Sequence, residues 1–257
     1  MTGEVLTGLI PRSLRVRYES TRPASGYRAA TTLANDKALP ALLLLAAFAA
    51  NLLETAFEAH RSAGITSRGL ALASGMQWLE GGSAFENHDV SNLMAVYGFS
   101  AAYFVVFPLL VLVSGIVFAR RPDPRAFRAF GFALAIEYAC SLPFFLLFPV
   151  PERWTYPDAN AILLSDLWNS RLIELFRPMS ALDNCFPSFH TSMSVLIVLC
   201  CFVYRVEFRF LTIPVAAMVL LSTYSLGIHW VGDIVAGTAL GVISMAIAHR
   251  LTARTTS

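Results

Sequence analysis

Two short polar islands stand in an otherwise apolar half of the chain: Asn184-Cys185-Phe186-Pro187-Ser188-Phe189-His190 and His229-Trp230-Val231-Gly232-Asp233. Each opens a long hydrophobic run. Pro187 suits the first position of a helix, where its missing N–H costs nothing, and Asp183 or Asn184 precede it as capping types. Ser188 and His190 then fall in the first turn. His229 opens the second run, with Asp233 one turn below it on the same face. Two helix N-termini thus offer free N–H groups and partial positive charge, an arrangement that binds phosphate. The same field disfavours an imidazolium, so a histidine there stays neutral and nucleophilic. Asp233 can accept the other ring N–H of His229 and fix its tautomer. His190 can protonate a departing oxygen and later deprotonate an incoming hydroxyl. Ser188 and Arg153 are the groups to hold phosphoryl oxygens. Phosphoryl transfer asks mainly for positioning and charge, so no metal and no other cofactor is required.

Such groups must be positioned by membrane helices. The 257 residues are 56% hydrophobic and only 14% charged, against about 25% in soluble domains. Several apolar runs reach about 20 residues, the length that crosses a bilayer. The expected fold is all-α, a polytopic membrane bundle of six transmembrane helices. Spans are expected near Leu39–Phe57, Leu93–Phe118, Ala129–Phe148 and Pro187–Tyr204. Residues 210–248 are apolar almost throughout; one helix of that length would be about 60 Å long, twice the hydrocarbon thickness. They must form a hairpin, Phe210–Leu226 and His229–Ala248, with Gly227 as the turn residue. Residues 58–91 are too polar to cross and are expected as interfacial helices. The organisation expected is a tail over 1–38, one catalytic domain over 39–248 and a second tail over 249–257. A short amphipathic helix is expected over Leu6–Val16, and nothing in the tail reads as a signal peptide.

Fourteen of the nineteen basic residues fall on one side of this layout, which makes that side cytoplasmic. Both termini lie there, and both polar islands meet on the non-cytoplasmic face. Eighteen of the nineteen are arginines, so phosphate would be met by guanidinium forks. No basic tract is interleaved with aromatics, so nucleic acid is not a partner. Cys140, Cys185, Cys200 and Cys201 form neither a disulfide framework nor a metal spacing.

Pro187-Ser188-Phe189-His190 resembles the Pro-Ser-x-His motif of the type 2 phosphatidic acid phosphatase superfamily. Ser222, His229 and Asp233 resemble its Ser-Arg-x5-His-x3-Asp motif with the spacing intact. The six-span layout is similar too, over about 39–248. The resemblance implies that His229 is a nucleophile forming a phosphohistidine, that Asp233 orients it, that His190 is the acid, and that Ser222 belongs to the phosphate-binding set. Thr223 stands where that superfamily usually has Arg, and no Lys-x6-Arg-Pro motif is present. In both respects the chain looks like the branch of inositolphosphorylceramide synthases and inositolphosphotransferases, which also carries a proline-rich segment similar to Pro149–Trp154. The implied substrate is a phospholipid or lipid phosphate in the membrane. The implied acceptor is an alcohol of a lipid or polyol, or water.

Other features have plainer readings. Gly237-x3-Gly241 suits close helix packing. Trp154 and Trp230 suit interfacial anchoring. His60, His88 and His249 suit packing or interfacial positions. Glu137, in mid-span, suits a neutral acid bonded to a Tyr or Ser. Two rival functions stay open: a non-catalytic, transporter-like bundle or lipid chaperone, and a metal site made of His190, His229 and Asp233.

Overall fold

The computed structural model describes residues 26–58, 60, 62–80, 92–176 and 182–254. The helix expected over Leu6–Val16, and His88, lie outside the described residues. The chain divides into two units between Asp36 and Lys37, and the second unit holds the helices that build the site.

The described residues are helical, with no strand among them. α1 is Gly26–Glu58, crossing the division, and α2 is Ala63–Leu79. α3 is Leu93–Ala101, continued through a π turn at Ala102–Val106 into α4, Phe107–Arg120. α5 is Arg125–Leu147 and α6 is Asp166–Phe176. α7 is Phe189–Val203, α8 is Arg209–Ser225 and α9 is Val231–Arg254. Among the described residues, four stretches are long and apolar enough to cross a bilayer: Lys37–Phe57, Leu93–Arg120, Arg125–Leu147 and Val231–Ala253. α7 and α8 are apolar but shorter. α2 occupies the mixed segment where interfacial helices were expected.

α5, α7 and α9 form the centre of the bundle. Two glycines on α9 let α7 approach closely. A Cβ on Gly237 would lie 2.4 Å from the Ser188 carbonyl oxygen, and one on Gly241 would lie 2.5 Å from that of Ser192. The Gly-x3-Gly pair is therefore a packing device, as its spacing implied. α1 crosses α5 at Pro40 and Gly131, where a Cβ would meet the proline at 2.6 Å. The π turn has a local cause. Pro108 has no N–H to offer the preceding turn, and Phe107 bonds back five residues to Ala102.

One end of the bundle is tied together by loops. Glu152 N–H donates to Leu182 O and Cys185 N–H to Val150 O. Arg153 N–H donates to Ile228 O and Trp154 N–H to Gly227 O. Three loops, 150–154, 182–185 and 226–230, are thereby fixed side by side. The hairpin turns at Gly227, whose φ of 78° lies in the region glycine enters without a steric penalty.

Candidate active site

The two polar islands meet at that tied end. The rings of His190 and His229 have centroids 6.0 Å apart, inclined by 59°. His190 is the second residue of α7, within its first turn. The cap of that helix differs from the expected one. It is Ser188, whose Oγ accepts the Thr191 N–H at 3.4 Å, and not Asp183 or Asn184. Pro187 lies outside the helix, so the whole island enters two residues later than its proline implied.

His229 sits in the turn before α9, with its N–H donating to Thr223 O at 3.0 Å. Its Nδ1 lies 3.3 Å from Asp233 Oδ2. The same carboxylate oxygen accepts the Trp230 N–H at 2.9 Å, while Asp233 N–H donates to Trp230 O. This is the return half of a capping box, an aspartate at the third helical position accepting the N-cap N–H, while its own N–H closes the turn on the Trp230 carbonyl. Asp233 is fully buried. It is thus held by its own helix start while it faces the imidazole, and it leaves Nε2 of His229 as the free ring nitrogen. Ser188 N–H donates to Asp233 O at 3.1 Å, so the caps of the two helices are bonded to each other.

Ser222 and Arg153 stand differently. Ser222 is buried in α8 and its hydroxyl donates to Val219 O at 2.6 Å, within its own helix. Arg153 is buried at the tied end, with its guanidinium carbon 4.8 Å from the centre of the Tyr224 ring. Trp230 is also buried rather than interfacial: its Nε1 donates to Pro151 O at 3.1 Å. Trp154 donates its Nε1 to Glu152 Oε2.

Several neighbours carry no signal in the sequence around the motifs. Tyr103, from the π turn, stacks on His190 with centroids 4.2 Å apart at 23°, its hydroxyl 3.4 Å from Nδ1. Phe107 flanks the same ring at 4.4 Å. Glu80, just past α2, accepts the Val231 N–H at 2.6 Å and so occupies the start of α9. Burial pushes the Glu80 carboxyl above its ordinary value, against the pull of the Val231 and Gly232 N–H groups and of Arg153. The helix end expected to be open to phosphate is therefore partly taken by a carboxylate of the protein. The ligand atoms of Cys185, His229 and Asp233 lie within 4.8 Å of one another, a set that could hold a metal and that differs from the histidine pair plus aspartate expected for one.

Fold and site define a membrane-associated helical protein with a pair of histidines from two helix starts, one backed by a buried aspartate. The chain belongs to the PAP2 superfamily, whose family model matches residues 126–257. Members of that superfamily are phosphatases or phosphotransferases, which makes this chain a lipid phosphatase or phosphotransferase in type. No curated protein and no solved structure matches it.

Proposed function

We propose that the protein transfers a phosphoryl group from a membrane lipid through a phosphohistidine at His229, without a metal. The observation that carries this is the pairing of His190 and His229 across one gap, with Asp233 buried behind His229. Nε2 of His229 attacks phosphorus and forms a P–N bond. The P–O bond to the lipid alcohol breaks, and His190 gives that oxygen its proton. An acceptor hydroxyl then returns a proton to His190 as its oxygen displaces His229. Ser188, Ser222 and Arg153 are the candidates to hold phosphoryl oxygens. Asp233 keeps the imidazole in the attacking tautomer, as in other aspartate–histidine pairs.

α7 and α8, with 15 and 17 residues, complete six spans in this reading. The excess of arginine in the tail and in the turns after the second and fourth expected spans supports a reading with both termini in the cytoplasm and the histidines outward. The Ser222–Thr223 pair and the proline-rich segment favour the inositolphosphotransferase-like branch, with an alcohol as acceptor. Water would use the same base and make the protein a phosphatase.

The test is incubation of purified protein in bilayers with phosphate-labelled phosphatidylinositol or phosphatidic acid, with and without ceramide or diacylglycerol. A new labelled lipid marks the transferase; free phosphate from phosphatidic acid, or inositol phosphate from phosphatidylinositol, marks water as the acceptor. Turnover lost to a chelator and restored by zinc would favour the Cys185–His229–Asp233 metal set instead. No turnover of any phospholipid would leave a non-catalytic bundle.

A further inference from the structure

A cavity of about 760 Å³ begins at the two histidines and runs away from them between α1, α4 and α5. Its polar end is formed by Glu152, Asn184, Cys185, His190 and His229. Beyond them the lining is almost wholly apolar, as far as Gly115, Ala119 and Phe127. From Phe107 to Ala119 the wall follows α4 for about 18 Å, at ~1.5 Å rise per residue. That matches one leaflet, roughly half of the ~30 Å hydrocarbon core. The opposite wall is α1, through Leu44, Ala47 and Phe48. The slot opens sideways there: Phe48 is 52% and Leu112 58% exposed.

Packed interiors do not keep apolar voids of this size empty. We propose that the slot takes one acyl chain of the substrate lipid, entering between α1 and α4 and ending against Gly115–Ala119. This rests on the phosphoryl-transfer reading above. Continuity with the histidines distinguishes this occupant from bulk lipid, because a chain lying in the slot brings its own headgroup to the gap between the rings. Lipid tails are as apolar as these side chains, so seating a chain yields packing and orientation rather than hydrophobic gain. The slot therefore acts on geometry at the phosphorus, where small displacements are costly. α1 and α4 lie outside residues 126–257, so two of the three walls come from the part of the protein that the family model does not match, and the third, α5, from the matched part.

The test has two arms in phosphatidylcholine nanodiscs. In the first, phosphatidic acid carrying a diazirine near the methyl end of one chain is photolysed with the full-length protein. Labelling is expected at 111–119 and 127–134, competed by unlabelled phosphatidic acid. Equal labelling of the outer positions Leu211, Val235 and Val242, or equal labelling of the slot by a diazirine phosphatidylcholine, would mean annular lipid only and overturn the proposal. In the second arm, Gly115→Phe fills the slot end. The ratio of turnover on dioleoyl to dioctanoyl phosphatidic acid is expected to fall at least about tenfold, while Leu211→Phe, on the outer face of α8, leaves that ratio unchanged. An unchanged ratio in Gly115→Phe overturns the slot. If the wild type turns over no lipid, the labelling arm still decides the slot, and only the phosphoryl-transfer reading fails.

Discussion

His190 is held chiefly by rings, with one long hydrogen-bond contact to its Nδ1. Tyr103 stacks on one face and Phe107 flanks it, and the tyrosine hydroxyl is at long range from Nδ1. Aromatic pairs of this kind contribute about 0.5–1.5 kcal/mol beyond burial. Tyr103→Leu should lower kcat/KM by roughly two- to tenfold and Tyr103→Phe by less than about twofold, read by steady-state kinetics on one lipid phosphate. A phenylalanine variant as impaired as the leucine one would show that the hydroxyl itself acts on the imidazole. The histidines and Asp233 were legible in the sequence because each motif is short and local, although His229 stands in the turn before α9 rather than opening it, and meets Asp233 across the helix start instead of along the helix. Tyr103 was not legible. It lies 87 positions from His190, and only the packing of the π turn brings the two together. Trp230 misled for a related reason. An aromatic beside a polar island reads as a boundary residue, but the 150–154 loop folds over it and accepts its N–H.

Among the elements, α9 decides most. Its start carries Asp233, receives Glu80 from beyond α2, and is bonded to the cap of α7. Because Glu80 has its carboxyl raised in the folded protein, its contribution to stability is fully present below the ordinary value of 4.5 and is lost as pH rises through the raised one. Glu80→Gln keeps an acceptor without a charge. Its melting temperature relative to the wild type should therefore improve between pH 4 and pH 8; a gap that moves the other way would mean that the charged form is the favoured one. Further along α9, Gly237→Ala places a methyl group against the Ser188 carbonyl. That overpacking should cost about 1–3 kcal/mol, measured by unfolding in mixed micelles, and should disturb activity because Ser188 opens the helix that carries His190. An alanine variant with wild-type stability would show that α7 and α9 can separate there. The hairpin at Gly227 was legible because forty apolar residues cannot be one span. The cap of α7 was harder: both Asn184 and Ser188 are capping types, and which one serves depends on where Asp233 O and Gly237 meet the chain.

At the scale of the molecule, the sequence pattern separates an apolar bundle from one polar end, and the structure ties that end with loops from three places. The half beyond the family match supplies Glu80 to the start of α9, Tyr103 to His190, and the α1 and α4 walls of the slot. None of these has a spacing that marks it, since each acts across the bundle rather than along the chain. The whole arrangement has a purpose only if His229 carries the phosphoryl group between donor and acceptor, and rapid quenching of the bilayer-embedded protein with phosphate-labelled lipid would trap that species. An acid-labile, alkali-stable label is expected on the protein at His229, absent from His229→Ala together with turnover; turnover that survives in His229→Ala, or a label that persists there, would overturn the phosphohistidine route.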